Sequence, residues 1–262
     1  MQIAANGINV NCELAGPAGA PVVALSHSLA SSRRMWKPQI PSLTTKYRVL
    51  NMDTRGHGGT EAPDGPYSLD MLADDALGLL DALEIDRVHW VGLSMGGMIG
   101  QNLGLRAPDR LASLTLSNTT SRVPAEARPM WDERIATARN DGMAALAEPT
   151  LERWFTPSFF AENGDGVELI RSEILGTPVA GYVGCCQAIS TLDYTDRLGE
   201  IKTPTLVIAG EDDPSTTVEA AETIKAGIAD AQLAVIGDAR HIANVEQAAI
   251  YTETLMGFLK AH

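Results

Sequence analysis

The sequence predicts an α/β protein: a mostly parallel sheet flanked by helices, with a block of helices inserted in the second half. Three observations predict it. Short apolar runs alternate with amphipathic segments up to about residue 116, and this alternation is typical of a parallel sheet with helices on both faces. Residues 122–196 then contain helical patterns and no convincing strand. The strand pattern resumes at residue 204.

The amino-terminal segment begins with a hairpin signal. Asn6-Gly7 lies between two short apolar segments, and Asn-Gly is a favoured two-residue hairpin turn. The apolar runs 21–25 and 47–52 predict buried strands. A glycine-rich turn, Arg55 to Gly59, follows the second run, so this part of the chain is expected to start the sheet.

A helix and further strands follow. Ser68 is a plausible helix cap, and apolar residues then recur every three or four positions over 69–83, which predicts an amphipathic helix. Residues 88–93 read as a strand, 95–106 as a helix and 111–116 as the next strand. This succession is the βαβ pattern of a parallel sheet.

The inserted block divides the chain into two predicted units. The core comprises residues 1–121 and 197–262, and the insertion, a helical cap, comprises residues 122–196. The insertion is expected to be all helical, with helical stretches that include Met130–Arg139, Met143–Trp154 and Val179–Leu192. After it, strands are expected at 204–209 and 233–236, with a closing helix over 245–259.

Charge excludes several classes of partner. The 262 residues carry 33 acidic and 20 basic side chains, a formal net charge of -13, and the sequence pI is about 4.7. Such a chain repels phosphate backbones and anionic membrane surfaces, so neither nucleic acid nor a membrane is expected as a partner. A small anionic substrate stays possible, but it would need cationic side chains nearby.

Targeting signals and cofactor motifs are missing from the sequence. Residues 1–20 contain no Lys or Arg and no apolar run, so we expect no signal peptide, and no segment approaches the length of a membrane span. The odd number of cysteines, Cys12, Cys185 and Cys186, indicates a reducing, cytoplasmic setting. No zinc, phosphate-loop or dinucleotide motif is present, so the enzyme classes that use these motifs find little support and no metal site is expected.

The motif that predicts chemistry is Gly92-Leu93-Ser94-Met95-Gly96, which has the form G-x-S-x-G. The pentapeptide alone is weakly specific. Here an apolar strand leads into it and a helix leads out, which is the context of a nucleophile elbow that raises a serine hydroxyl above the sheet. The alternative interpretation is an ordinary strand-to-helix turn without chemistry. We therefore predict Ser94 as a nucleophile.

A serine nucleophile needs a base. In proteins with this elbow the triad follows the chain order serine, acid, histidine, and His241 is the only internal histidine after Ser94. It follows a strand and a short loop, so it lies at the carboxyl edge of the sheet. Structural roles are expected for two other histidines, His57 and His89, and His262 is the terminal residue.

The base needs an acid that orients it. Three acidic residues follow the strand 204–209, and Asp213 is chosen because a Gly-x-x-Asp spacing lets the chain turn before the carboxylate points back. Asp212 is the alternative. Residues 117–120, another possible acid position, contain no carboxylate, and Asp238 is too close to His241 in sequence.

Two backbone N–H groups should stabilise the oxyanion. One is expected from Met95, at the start of the helix after Ser94. The other is expected from Leu29, in the loop after the first central strand. One such donor is worth about a hundred- to a thousandfold in rate.

With these residues placed, the whole chain resembles the α/β-hydrolase superfamily, and most closely the bacterial 3-oxoadipate enol-lactonases. The likeness is carried by segments over nearly the full length: Ser26-His27-Ser28-Leu29, Arg34-Met35-Trp36, Asp53 to Gly58, Gly92 to Gly97, Arg153-Trp154-Phe155-Thr156, Gly181 to Cys186 and His241-Ile242-Ala243-Asn244. Most of the superfamily has His-Gly where this chain has His27-Ser28, and the enol-lactonases vary there.

The resemblance implies an α/β-hydrolase fold with an eight-stranded, mostly parallel sheet and a helical cap over the active site. It also implies hydrolysis of 3-oxoadipate enol-lactone to 3-oxoadipate, in the β-ketoadipate route of aromatic catabolism, without a cofactor. Two alternatives stay open: a general carboxylesterase or other small-lactone hydrolase on the same machinery, and a binding module without catalysis. Function depends on the pocket rather than on the fold.

An enol-lactone substrate with a free carboxylate needs a cationic group. Arg134 is the first candidate in the cap, with Trp131 and Trp154 as apolar walls. The alternative is that both tryptophans are cap core and Arg134 is a solvated helix residue. Arg33 and Arg34, near the oxyanion loop, are weaker candidates.

Overall fold

A computed structural model describes residues 1–162 and 164–262. Within them, eight strands form one sheet in the order β1-β2-β4-β3-β5-β6-β7-β8. The strands are β1 (Gln2–Ala5), β2 (Ile8–Ala15), β3 (Val22–Ser26), β4 (Arg48–Met52), β5 (Val88–Leu93), β6 (Leu111–Ser117), β7 (Thr205–Gly210) and β8 (Gln232–Ile236). β2 pairs antiparallel with β1 and β4, and the remaining pairs are parallel. This is the predicted fold class, an eight-stranded, mostly parallel sheet flanked by helices.

Helices surround this sheet and fill the connection between β6 and β7. They are α1 (Ile40–Leu43), α2 (Leu69–Ala82), α3 (Met95–Arg106), α4 (Arg128–Asp141), α5 (Ala144–Trp154), α6 (Pro157–Glu162), α7 (Gly164–Gly176), α8 (Val179–Ser190), α9 (Val218–Gly227), α10 (Ala243–Glu246) and α11 (Ala248–Lys260). In the described residues, no helix combines the length and apolar character needed to cross a membrane.

The central strands are apolar because both faces of the sheet are covered. Every residue of β5 and β7 is buried, as are the last four residues of β3. In register, Leu25 lies beside Val91 and Gly92 beside Leu116. Helices on both faces exclude water from these strands, which explains the continuous apolar runs in the sequence.

Local signals in the sequence correspond to the observed elements. Asn6 and Gly7 both have positive φ, as a type I′ turn requires, and join β1 to β2. The Ser68 side chain accepts a hydrogen bond from the Met71 N–H at 3.1 Å and caps α2. The predicted closing helix 245–259 is wrong in one respect: it is two helices, α10 and α11, because the backbone leaves helical geometry at Gln247.

The helices between β6 and β7 pack over the carboxyl edge of the sheet. A bridge between Arg122 and Asp193 joins the two ends of this connection. Farther in, it touches the core closely: a Cβ built on Gly56 would lie 2.4 Å from the Cα of Gly181 in α8. Only glycine fits at such a contact. We use "cap segment" below for residues 122–196.

Candidate active site

The site lies at the carboxyl edge of the sheet, where the loops after β3, β5, β7 and β8 meet. Ser94 stands between β5 and α3 with φ 55° and ψ −113°, a strained backbone for a residue with a side chain. A Cβ on Gly92 would lie 2.0 Å from the Gly96 carbonyl oxygen. The two glycines are needed because the turn brings strand and helix backbones into contact, and this presents Ser94 at the sheet edge.

The Ser94 backbone is held by neighbours as well as by the turn. Its N–H donates to the Ser117 carbonyl at the end of β6, at 2.9 Å. Its carbonyl accepts a hydrogen bond from Thr119 Oγ1 at 2.8 Å. Both hydrogen bonds hold the strained residue against the adjacent strand and the loop after it. The backbone position from which the Ser94 side chain extends is therefore fixed.

Asp213 and His241 form a buried pair beside it. His241 Nδ1 lies 2.8 Å from Asp213 Oδ2, and both side chains are almost fully buried. Asp213 also accepts hydrogen bonds from the Ser215 N–H at 2.8 Å, from Thr216 Oγ1 at 2.6 Å and from Asn118 Nδ2 at 3.2 Å. These donors and the hydrogen of His241 saturate the carboxylate, which fixes the imidazole ring in one orientation.

The electrostatics of the pair favour an ionised acid. Burial by itself would raise the pKa of Asp213, but the charge of His241 and the hydrogen bonds from His241, Thr216 and Ser215 outweigh it and lower the pKa to about 2. Asp213 is therefore a carboxylate across the physiological range. An anion next to Nδ1 stabilises a proton there and leaves Nε2 available as a base.

Ser94 and His241 line the same cavity, which has a volume of about 380 Å³. In the described part of the chain no hydrogen bond joins Ser94 Oγ to His241. Such bonds are often long in a site without substrate and tighten when the reacting group binds. The indole ring of Trp154 lies 5.5 Å from the imidazole of His241, so the cap segment covers the histidine.

The loop after β3, residues 27–32, forms another side of the cavity through Ser28, Leu29 and Ala30. We call it the oxyanion loop. Among the described residues, the Leu29 N–H has no hydrogen-bond acceptor. Met95 is the first residue of α3, so its N–H has no partner within the helix. Both predicted donors are therefore available to a ligand.

His27 and His57 support this loop from within the core. Each accepts a backbone N–H at Nε2, from Thr54 at 2.9 Å and from Ala30 at 3.0 Å respectively. Each Nδ1 faces a carbonyl oxygen and so carries the hydrogen. Burial, the largest cause, lowers the pKa of His27, and it lowers that of His57 to about 3. Both rings are neutral structural groups, as expected for His57.

The cap segment supplies the wall opposite Ser94. Trp131, Arg134 and Trp154 all line the cavity, with the Arg134 guanidinium 4.9 Å from the centre of the Trp131 ring. Sequence reasoning missed Arg153, which lines the same cavity. Burial, and then the nearby charge of Arg134, lower the pKa of Arg153.

Charge pairing distinguishes the arginines of this wall. Arg122 is neutralised by Asp193 at 2.5 Å and Asp196 at 2.7 Å. Within the residues described, Arg134 and Arg153 have no salt-bridge partner, and Arg153 Nε is buried without a hydrogen bond. In a chain with a net charge of -13, two arginines without a salt-bridge partner among the described residues make this wall of the cavity locally cationic.

The remaining candidates lie elsewhere. Asp212 and Asp238 are exposed, so neither competes with Asp213. His89 pairs with Ser113 Oγ at 2.9 Å inside the sheet. Arg33 lies outside the cavity and pairs with Glu13, and Arg34 is largely exposed outside it. Across the described residues, no cluster of three His, Cys, Asp or Glu side chains is arranged to hold a metal ion.

Comparison with known proteins agrees with this geometry. The family model described as the alpha/beta hydrolase fold matches residues 21–163 and 170–248. The chain is 34% identical to 3-oxoadipate enol-lactonase 1 of Acinetobacter baylyi over 97% of its length and 94% of that protein.

Two solved structures extend the likeness. The enol-lactonase from Burkholderia xenovorans LB400 is 38% identical, with a TM-score of 0.96 over 99% of this chain and 100% of that one. A thermophilic esterase from Thermogutta terrifontis is 30% identical, with a TM-score of 0.93 over 100% and 98%. With the family model matching most of the chain and these relatives aligned over nearly all of it, this protein is a hydrolase of the α/β-hydrolase family.

Proposed function

We propose that this hydrolase opens 3-oxoadipate enol-lactone to 3-oxoadipate through Ser94, His241 and Asp213. The observation that carries the proposal is the composition of one cavity. One wall holds the strained serine and His241, with Asp213 bound behind the histidine, and the other holds Arg134 and Arg153, which have no salt-bridge partner among the described residues. The similarity to enol-lactonases over nearly the whole chain supports the choice of substrate.

The first half of the reaction forms an acyl-enzyme. Ser94 Oγ attacks the lactone carbonyl carbon while His241 Nε2 takes its proton, and Asp213 stabilises the imidazolium. The carbonyl oxygen becomes an oxyanion, which accepts hydrogen bonds from the N–H groups of Leu29 and Met95. Because neither N–H has an acceptor among the described residues, no hydrogen bond between those residues is broken when the charge develops.

Ring opening completes the first half and hydrolysis the second. The C–O bond of the tetrahedral intermediate breaks and expels an enolate, a better leaving group than a simple alkoxide. The enolate takes the proton from His241 and ketonises. A water molecule, deprotonated by His241, then attacks the acyl carbon, and Ser94 leaves with that proton restored. One water is consumed and 3-oxoadipate is released.

The free carboxylate of the substrate binds at the cap wall in this proposal. Arg134 is the first candidate, and Arg153 joins it because it lines the same cavity and has no carboxylate partner among the described residues. Trp131 and Trp154 enclose the apolar part of the substrate. We place this activity in the cytoplasm, in the β-ketoadipate route, as the cysteine pattern and the resemblance predict.

The decisive experiment compares kcat/KM for the enol-lactone with that for p-nitrophenyl acetate, an ester without a carboxylate. We expect a strong preference for the lactone. A strong preference for the acetate would overturn the lactonase proposal. A fluorophosphonate probe should label Ser94 and fail to label Ser94→Ala, and an unlabelled wild type would favour a binding module.

A general carboxylesterase is the second candidate. The observation that favours it is the 30% identity to the Thermogutta terrifontis esterase over the whole chain. The same machinery would then act on an open-chain ester, and the two arginines would contribute little to turnover. The paired kcat/KM measurement separates the two candidates directly.

A further inference from the structure

The oxyanion loop has an unusual pattern of backbone hydrogen bonds. The Ala30 N–H donates to His57 Nε2, the Ser31 N–H to the Ser28 carbonyl and the Ser32 N–H to Glu173 Oε2. In the part of the chain that the structure describes, the N–H of Leu29 is left free beside these three bonded neighbours. Because the Leu29 N–H makes no hydrogen bond itself, its direction depends on the hydrogen bonds of the residues around it.

The loop also carries backbone strain next to that donor. Ala30 has φ 56°, in the left-handed region, which costs a residue with a side chain about 1–2 kcal/mol. Such a conformation persists only when the surroundings hold it in place. On the core side, His57 and the Asp53 carboxylate do so, the latter by accepting the Arg33 N–H at 2.7 Å.

On the other side the support comes from the cap segment. Glu173 lies on α7 and its side chain is 1% exposed. Its Oε2 accepts hydrogen bonds from Ser31 Oγ at 2.6 Å and from the Ser32 N–H at 2.9 Å. Its Oε1 accepts from Ser32 Oγ at 2.8 Å. The carboxylate therefore binds two consecutive residues of the loop through three hydrogen bonds.

Packing alone does not account for this carboxylate. Its neighbours on the buried face of α7, Val167, Ile170 and Ile174, are apolar. A buried carboxylate loses its hydration, and burial accordingly raises the pKa of Glu173 against the hydrogen bonds from Ser31 and Ser32 and the charge of Arg34, whose Nε lies 4.0 Å from Glu173 Oε1 at the exposed side. An apolar side chain would fill the same space without that cost. What the carboxylate adds is a directional hold on the oxyanion loop.

We propose that Glu173 is a positioning residue that fixes the oxyanion loop from the cap segment, so that the Leu29 N–H points at the developing oxyanion. The inference rests on the proposed serine-hydrolase function. Glu173 does not line the cavity, so it touches no substrate. Its loss should weaken stabilisation of the transition state and leave ground-state binding almost unchanged.

The test is Glu173→Gln, which keeps the shape of the side chain and removes the charge. The matched control is Glu168→Gln on the same helix, whose side chain is 68% exposed. For each protein, kcat and KM are measured with the enol-lactone and with p-nitrophenyl acetate, per site labelled by a fluorophosphonate. The inhibition constant of a trifluoromethyl ketone, which forms a tetrahedral adduct with the serine, is measured beside them.

We expect Glu173→Gln to lower kcat about tenfold or more for both substrates, a part of the effect of losing one oxyanion donor. The inhibition constant should rise in parallel, while KM changes less than about twofold, as it does in Glu168→Gln. If Glu173→Gln does not fold, Ser31→Ala removes one of the same hydrogen bonds from the loop side and should shift kcat and the inhibition constant in the same direction.

An unchanged kcat and inhibition constant in an active, folded Glu173→Gln would overturn this inference and leave the proposed function standing. So would a rise in KM at constant kcat, which indicates a lost binding contact instead. A wild type that hydrolyses neither substrate and is not labelled would overturn the proposed function, and this inference with it.

Discussion

The two walls of the cavity are built in opposite ways. On the core wall, Asp213 accepts four kinds of donor and the Ser94 backbone is bonded at both its N–H and its carbonyl. On the cap wall, Arg134 and Arg153 lie in the cavity without a carboxylate partner among the described residues. On the core wall the acid and the serine backbone are held by hydrogen bonds, and on the cap wall two cationic side chains have no carboxylate partner.

This difference in hydrogen bonding indicates separate roles for the two walls, catalysis for the core wall and substrate selection for the cap wall. Groups that take part in bond making must hold one geometry before the substrate arrives, because preorganised dipoles stabilise a transition state without reorganising. Groups that select a substrate must keep their charge available for it. Hence core-wall variants should lower kcat for every ester, and cap-wall variants should raise KM for anionic substrates alone.

The largest effect is expected from Ser94→Ala. Without the nucleophile no acyl-enzyme forms, so kcat should fall by about 10⁵-fold or more. Rates with the enol-lactone and p-nitrophenyl acetate should fall alike, since the chemistry is shared. Steady-state assays on the folded variant measure kcat for both substrates, and near-normal turnover would refute the assignment of Ser94.

Asp213→Asn should come next, with a loss of roughly 10⁴-fold in kcat, because the amide holds His241 in the wrong tautomer. Asp212→Asn, one residue earlier and exposed, is the control and should keep wild-type turnover. A larger loss in Asp212→Asn than in Asp213→Asn would move the acid to the neighbouring residue.

On the cap wall, Arg134→Ala and Arg153→Ala should each raise KM for the enol-lactone by about 10- to 100-fold, the worth of a charge-assisted hydrogen bond. Values for p-nitrophenyl acetate should stay near wild type, since that ester has no carboxylate. Arg139→Ala, on the exposed side of α4, is the control. Equal losses on both substrates would mean that these arginines support structure rather than select a ligand.

The smallest effect concerns stability rather than rate. The pKa of Asp213 is lowered from 3.8 to about 2, so its contribution to stability is present above pH 4 and is lost as the pH falls toward 2. The free energy of unfolding of the wild type should therefore drop by up to about 2 kcal/mol more between pH 5 and pH 2 than that of Asp213→Asn. Denaturant titrations of both proteins at the two pH values measure the difference. An equal drop in the free energy of unfolding for wild type and variant would contradict the prediction.

Much of the core wall could be predicted from the sequence. The strand, the serine and its flanking glycines are contiguous, so the elbow at Ser94 is a local pattern. His241 followed from chain order, and the structure places it beside Asp213. Such predictions depend on neighbours in the chain and on the fixed direction of parallel strands, and both can be read without coordinates.

Other contacts depended on tertiary structure. Asn118 and Thr216 meet Asp213 from separate loops, and Glu173 reaches the oxyanion loop across 141 positions of chain. Nothing in the local pattern around Glu173 distinguishes a buried carboxylate from the solvated one at Glu168. The same holds for Arg153, whose place in the cavity depends on how α5 packs against the core.

By itself, the sequence determined the fold class, the elbow and the order of the proposed triad, because hydrophobic periodicity and turn chemistry are local properties. Tertiary structure alone decided which charges stay unpaired in the cavity and which carboxylate holds the oxyanion loop. Burial and pairing depend on segments far apart in the chain, and the free energy of a charged side chain is set by the groups that surround it in space.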